Sequence, residues 1–287
     1  MGIISIKSTD NLFWLGRYVE RVFTTLKMFT QCYDVLIDVD ENAYVDFLQK
    51  LGIPNTYSYK QEFIADFLFN ESNPNSVMST VLAAYDNAVM MRNELSSETM
   101  SYIQLAVDAM QRGKESSAPM LKLQEVFDCI FAFWGAADDY VESETTRNIL
   151  KFGRSVERID LYTRFSCSPE LIRKEFSILL NRLYKVGIDC NITAIDRLMK
   201  IILEKDDFEA DKYTIQEELS RLFVTAPSAY YKAGEVLFCK PLNFHIRCKS
   251  HFPRPWCAIA FLCAVCRLTT NTSVYASCFW RFRRTMC

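Results

Sequence analysis

An all-α fold, an antiparallel helical bundle followed by an irregular carboxyl-terminal tail, is what this sequence of 287 residues predicts. Three observations carry that reading. Prolines 54, 74, 119 and 169 divide the first 227 residues into long stretches poor in Gly and Pro and rich in Leu, Met, Glu, Lys and Ala, which is how helices and their boundaries read. Apolar residues recur at helical spacing within those stretches. Beyond about residue 228 the composition changes abruptly.

At the amino end, Ser8, Thr9 and Asp10 offer an N-cap. At 100° per residue, Leu12, Leu15, Val19, Val22, Phe23, Leu26 and Phe29 then fall on one face of a first helix reaching about residue 37. Shorter helices fit 42–51 and 59–69. Longer ones follow at about 75–94, 97–112, 120–142, 145–166, 170–186, 191–204 and 213–224. The connections, such as Asn70-Glu71-Ser72-Asn73-Pro74, are short and polar, so successive helices should pack antiparallel. Met90, Met91, Phe131, Phe133 and Trp134 are spaced as bundle core.

Residues 1–227 are expected to form this helical domain, and 228–287 a Cys/Arg-rich tail that is not an independent domain. The first segment carries 24 Lys+Arg against 34 Asp+Glu, the second nine against one. Seven of the eleven cysteines and both histidines also lie in the tail. So sharp a break is expected of a non-native carboxyl end, such as translation after a frame change, rather than of one evolved domain. Its most apolar run, Trp256 to Val265, has ten residues, well short of the roughly 18 that span a bilayer. Cys263 and Cys266, with Cys248, Cys257 and His251 nearby, form no paired zinc knuckle, so no metal is expected.

Several chemistries are excluded by inventory. The first 244 residues hold no histidine, which removes a Ser-His-Asp triad, a Cys-His dyad and a Glu-x-x-His metal helix. The eight glycines build no phosphate-cradling loop, and no cofactor is expected. Cys32, Cys129, Cys167 and Cys190 are widely scattered, as small buried hydrophobes are in a reducing compartment. The amino terminus carries neither a secretory pattern nor a myristoylation signal, so a cytoplasmic location is expected. The basic tail has no stacking platform for nucleic acid, and the acidic body would repel it. Asp138, Asp139 and Glu142 could hold a cation or act as a base, but such a set more often forms a solvated helix end.

One internal repeat stands apart. Gly16-Arg17-Tyr18-Val19-Glu20-Arg21 recurs as Gly153-Arg154-Ser155-Val156-Glu157-Arg158, with five of six positions identical. On a helical wheel the Glu and both Arg share one face, roughly opposite Val. That face also carries Phe13 and Met28 in one copy, and Leu150, Leu161 and Phe165 in the other. Three readings follow: surface ion pairs, a partly buried network fixing how two helices cross, or an anion- or partner-binding site. In the last, Arg17, Arg21, Arg154 and Arg158 outnumber Glu20 and Glu157, and guanidinium forks suit a carboxylate or phosphate. Gly16 and Gly153 would admit close approach of a backbone or ligand.

Asn11-Leu12-Phe13-Trp14-Leu15-Gly16-Arg17-Tyr18-Val19-Glu20-Arg21 resembles the opening of the bacterial Alpha-E domain, a helical domain named for its Glu-Arg motif. Phe152 to Arg158 resembles its second copy, and Asn87 to Glu98 its middle helices more loosely. The likeness covers about residues 3–225. It implies a helical protein encoded beside ATP-grasp-like and transglutaminase-like proteins, and hence a pathway that makes or processes amide bonds. The expected role is an accessory or partner-binding protein of such a system. The competing readings are a transferase or ligase subunit acting on a carboxylate- or phosphate-bearing substrate, and a purely structural bundle.

A chain ending at Pro227 should keep the helical circular dichroism and cooperative melting of the full chain, because the helical periodicity stops before the tail. Aggregation or non-cooperative melting of the shortened chain would instead tie the tail to the bundle.

Overall fold

The computed structural model describes residues 6–116, 118–186 and 190–222. The segment from residue 223 onward, with the expected domain boundary, the clustered cysteines and both histidines, lies outside the described residues. Among the described residues the fold is all-α: α1 (Ile6–Asp38), α2 (Ala43–Leu51), α3 (Lys60–Phe69), α4 (Val77–Met90), α5 (Ser97–Glu115), α6 (Pro119–Tyr140), α7 (Glu144–Arg164), α8 (Pro169–Val186), α9 (Ile192–Ile202) and α10 (Lys212–Arg221). No helix among them is long and apolar enough to cross a membrane.

Side-chain caps fix four of the ten described helix starts. Ser76, Ser96 and Ser143 each accept a hydrogen bond from the backbone N–H three residues on, and Asn191 accepts from Thr193 and Ala194. Pro119 sits in the first turn of α6, where its missing N–H costs nothing. Ser8, Thr9 and Asp10 are not caps as expected: α1 already runs through them, and Asp10 is buried.

α4 stops at Met90 rather than near 94. The turn after it buries Met91 and Leu95 and places Ser96 to cap α5, a tertiary reward that outweighs continued helix. Met90 consequently faces solvent, and so does Phe131, against the expectation that both belong to the core. Phe131 instead forms the outer edge of an aromatic group with Phe23 and Phe127, ring centroids 5.1 and 5.5 Å from Phe23. Phe133, Trp134 and Met91 are buried as expected.

The most extensive packing joins α1 to α7, with α4 against α1 and α8 against α7, while α5 and α6 pair with each other. α5 and α6, and α7 and α8, fold back on each other, as Arg112 to Glu125 and Ser155 to Glu175 indicate. α1 and α7 instead run in the same direction, since Phe13 meets Gly153 and Arg21 meets Glu157. Leu12, Leu15, Val19, Val22, Leu26 and Phe29 of α1 and Ile149, Phe152, Val156 and Ile159 of α7 are all buried. Phe29, Phe47, Phe63 and Phe67 interlock around α2 and α3 with centroids 5.3 to 6.0 Å apart.

Two glycines allow the α1–α7 pairing. A Cβ on Gly16 would lie 2.0 Å from the Leu150 carbonyl oxygen, and one on Gly153 would lie 2.1 Å from that of Phe13. Both obstacles are backbone, so a methyl group can be accommodated only by parting the helices. Gly135 on α6 has nothing within 4 Å of the same position.

Gly16→Ala or Gly153→Ala should therefore destabilise the fold by about 1–3 kcal/mol or more, whereas Gly135→Ala should stabilise it by up to about 1 kcal/mol through helix propensity alone. Chemical denaturation of the three variants checks the contrast, and equal effects would refute the close-contact account.

Candidate functional site

The glycine contact fixes the helices at a separation where the charged residues one turn further on meet across the seam. Glu157 of α7 accepts from Arg17 Nε at 2.6 Å and from Arg21 Nε at 2.5 Å, both on α1. The reciprocal arrangement holds for Glu20 of α1, which accepts from Arg154 Nε at 3.1 Å and from Arg158 Nε and Nη2 at 2.7 and 2.8 Å. Each glutamate thus serves the arginines of the other copy. Exchange about a local two-fold axis between parallel helices accounts for the pattern, and the glycine contacts obey the same exchange.

The six sequence-predicted site residues are therefore brought into one cluster, and the two glycines form its floor. Their pairing excludes simple surface ion pairs, since Glu20 and Glu157 are fully buried. Buried carboxylates require several donors, and Thr24 supplies Glu20 with a further hydrogen bond at 2.8 Å. The arginines are braced by aromatic faces: Arg17 lies 4.7 Å over Trp14, Arg154 4.5 Å over Trp134, and Arg21 5.8 Å over Tyr18.

Outside the motif, the structure adds Glu175 of α8. Its carboxylate accepts from Ser155 Oγ at 2.8 Å and from Arg158 Nη1 at 3.3 Å. Sequence reasoning missed it, although a signal was present: Glu175 lies at helical spacing with Ile172, Leu171 and Leu179 on a stripe that is otherwise apolar. Trp134, read as core, also supports Arg154. Burial lowers the Arg182 guanidinium on α8, opposed by the charge of Glu175.

Burial alone would push the Glu157 carboxyl up, but Arg21 and Arg17 outweigh it and hold the group down at about 2. Burial lowers the Arg154 guanidinium, partly opposed by Glu20. At Arg158 burial acts in the same sense, yet the hydrogen bonds and charge of Glu20, with Glu175 behind it, prevail and raise it.

Other groups singled out from the sequence do not join this cluster. Asp138 pairs with Lys151, and Asp138, Asp139 and Tyr140 are exposed at the end of α6. No group of three or more metal-ligating residues occurs among the described residues. Burial raises the thiol of Cys32 to about 11 and also raises those of Cys129 and Cys167, so these cysteines are poor nucleophiles at neutral pH.

Residues 5–170, more than half of the chain and including both motif copies, match the model of a family described as a predicted alpha-helical domain with a conserved ER motif. The chain belongs to the Alpha-E family. The Glu-Arg steps of this Alpha-E chain are Glu20-Arg21 and Glu157-Arg158, and each contributes the carboxylate that anchors the opposite helix. No curated protein and no solved structure matches the chain.

Glu157→Ala should lower stability by about 3–5 kcal/mol, because Arg17 and Arg21 lose the carboxylate between them. Thermal melts test the loss, and an unchanged melting temperature would contradict it. The Glu157 carboxyl is depressed from 4.5 to about 2 in the folded chain, so its contribution is complete above the unfolded value and fades as pH falls through the folded one. Glu157→Gln should accordingly remove part of the acid destabilisation between about pH 4.5 and 2.

Proposed function

We propose that this Alpha-E chain is a non-catalytic accessory domain that accepts an anionic group, on a partner or on the partner's substrate, at the outer side of its arginine cluster. The observation carrying this reading is the division of exposure within the cluster. The Glu20 and Glu157 side chains are 0% exposed, whereas Arg158 and Arg154 remain 18% and 25% exposed. A molecule approaching from solvent therefore meets guanidinium groups while the clasp carboxylates are shielded beneath them. Guanidinium forks partly withdrawn from water bind carboxylate or phosphate more strongly than fully solvated ones do.

The same carboxylates that order the arginines make the site preorganised, so little side-chain entropy is lost when an anion arrives. Family resemblance supplies the partner class, an ATP-grasp-like or transglutaminase-like protein of an amide-bond-forming system. A carboxylate is the group that an amide-forming reaction consumes, which agrees with an arginine surface in an accessory subunit. Accessory action of this kind would raise local substrate concentration or orient the partner without breaking or making a bond itself.

Sulfate, phosphate or a carboxylated peptide should raise the melting temperature of the wild type at constant ionic strength, and should do so much less in Arg17→Ala/Arg154→Ala. Equal shifts in both proteins would reduce the effect to general salt stabilisation and overturn the proposal. Adding the chain to a purified ATP-grasp-like partner should change the partner's ATP hydrolysis, and a lack of both complex formation and rate change would remove the partner assignment.

A further inference from the structure

An open cleft lies where α1, α3, the start of α4 and α7 come together. Arg21 and Thr25 of α1, Phe67 of α3, Ser76 and Val77 at the start of α4, and Leu161 of α7 line it. Counted out to its mouth it holds about 400 Å³, at the lower end of the range for small-ligand sites. Its inner part admits only a small group, and most of its lining residues are apolar. Arg154 and Arg158 take no part in it.

The polar groups of this cleft are donors. Thr25 is 6% exposed, yet its hydroxyl hydrogen-bonds to no described residue. Thr30 and Thr163 return theirs to the carbonyl four residues back, so Thr25 departs from the usual behaviour of a helical threonine. The Ser76 hydroxyl accepts from the Ser79 N–H, while the N–H groups of Val77 and Met78 find no acceptor among the described residues. These are first-turn donors at the positive end of the α4 dipole. Arg21, bound through Nε to Glu157, adds its charge to the wall with its side chain 12% exposed. None of the lining residues is acidic.

We propose that this cleft binds a short aliphatic carboxylate, its oxygens accepting from the Thr25 hydroxyl and the α4 N-terminus beside the Arg21 guanidinium, and its chain lying against Phe67 and Leu161. The site goes beyond the anion-accepting reading above, since it is built on α1 and α4 and not on the exposed sides of Arg154 and Arg158. A carboxylate accepts several hydrogen bonds while carrying one charge, and the helix N-terminus favours that charge. The apolar walls suit a hydrocarbon chain, whereas phosphate has no apolar part to set against them. A free acid and a glutamate side chain offer the same chemistry.

Melting and NMR-monitored titration of the full chain at constant ionic strength test the site with four probes: butyrate for a free acid, N-acetylisoglutamine for a glutamate side chain, neutral butyramide, and inorganic phosphate. The two carboxylates should bind and raise the melting temperature, the better of them identifying the source, while butyramide and phosphate should act much more weakly. Thr25→Val, which keeps the shape and removes the hydroxyl, should weaken carboxylate binding by about tenfold. Without ligand it should melt no lower than wild type, because the hydroxyl it removes has no partner; a lower melt would give that hydroxyl a structural role and overturn the assignment. Val77→Pro removes one N–H at the first helical position, where proline is tolerated, and should weaken binding similarly. Arg154→Ala should leave butyrate binding intact. Loss of binding in that variant, with Thr25→Val unaffected, would place the carboxylate at the outer arginines and overturn this site while supporting the earlier reading. No effect of either carboxylate on the wild type would overturn the site, and butyramide or phosphate binding as tightly would refute the ligand class.

Discussion

The contact between the α1 and α7 backbones at Gly16 and Gly153 is the constraint on which the rest of the structure depends. Each glycine faces a carbonyl of the other helix at a distance that leaves no room for a methyl group. Helices packed through larger side chains are held 8–10 Å apart, and a close approach shortens the reach required of the residues one turn beyond. Glu20 and Glu157 are consequently placed to accept from arginines of the opposite helix while remaining fully buried.

Buried ion pairs are often no more stabilising than apolar residues of the same volume, because desolvation offsets most of the attraction. Their value here lies in specificity. Glu157 satisfied by Arg17 and Arg21, and Glu20 by Arg154 and Arg158, can both be achieved only in one register of α1 against α7. A one-turn slip would leave each carboxylate with only one of its two arginines. The parallel course of this pair also distinguishes it from α7 and α8, which a short connection folds back on each other.

The two halves of the cluster differ in what surrounds them, and that difference turns a structural clasp into a candidate binding surface. Arg17 rests on Trp14 of its own helix, but the residue corresponding to Trp14 in α7 is Lys151, which is committed to Asp138. Arg154 therefore takes its aromatic support from Trp134 of α6. Ser155, standing where α1 has Tyr18, directs Glu175 of α8 into the network. Local exchange symmetry governs the paired motif residues, while the flanking helices break it and leave the α7 side richer in donors.

The sequence by itself determined the all-α class, the position of nearly every helix and the identity of the six clasp residues, because periodicity, caps and prolines are local properties and because a repeated motif marks itself. Its errors were also local: Ser8 to Asp10 have the residue types of a cap but lie within α1, and Met90 and Phe131 have helical spacing yet stay largely exposed. Only the tertiary structure decided which arginine serves which glutamate, that α1 and α7 run in the same direction, and that the glycines meet backbone rather than ligand. Glu175 and Trp134 entered the cluster the same way, from helices whose faces no short-range pattern could assign to one another. Such pairings depend on distances between residues as far apart in sequence as Arg17 and Glu157, and hydrophobic periodicity specifies that a face is buried without specifying against what.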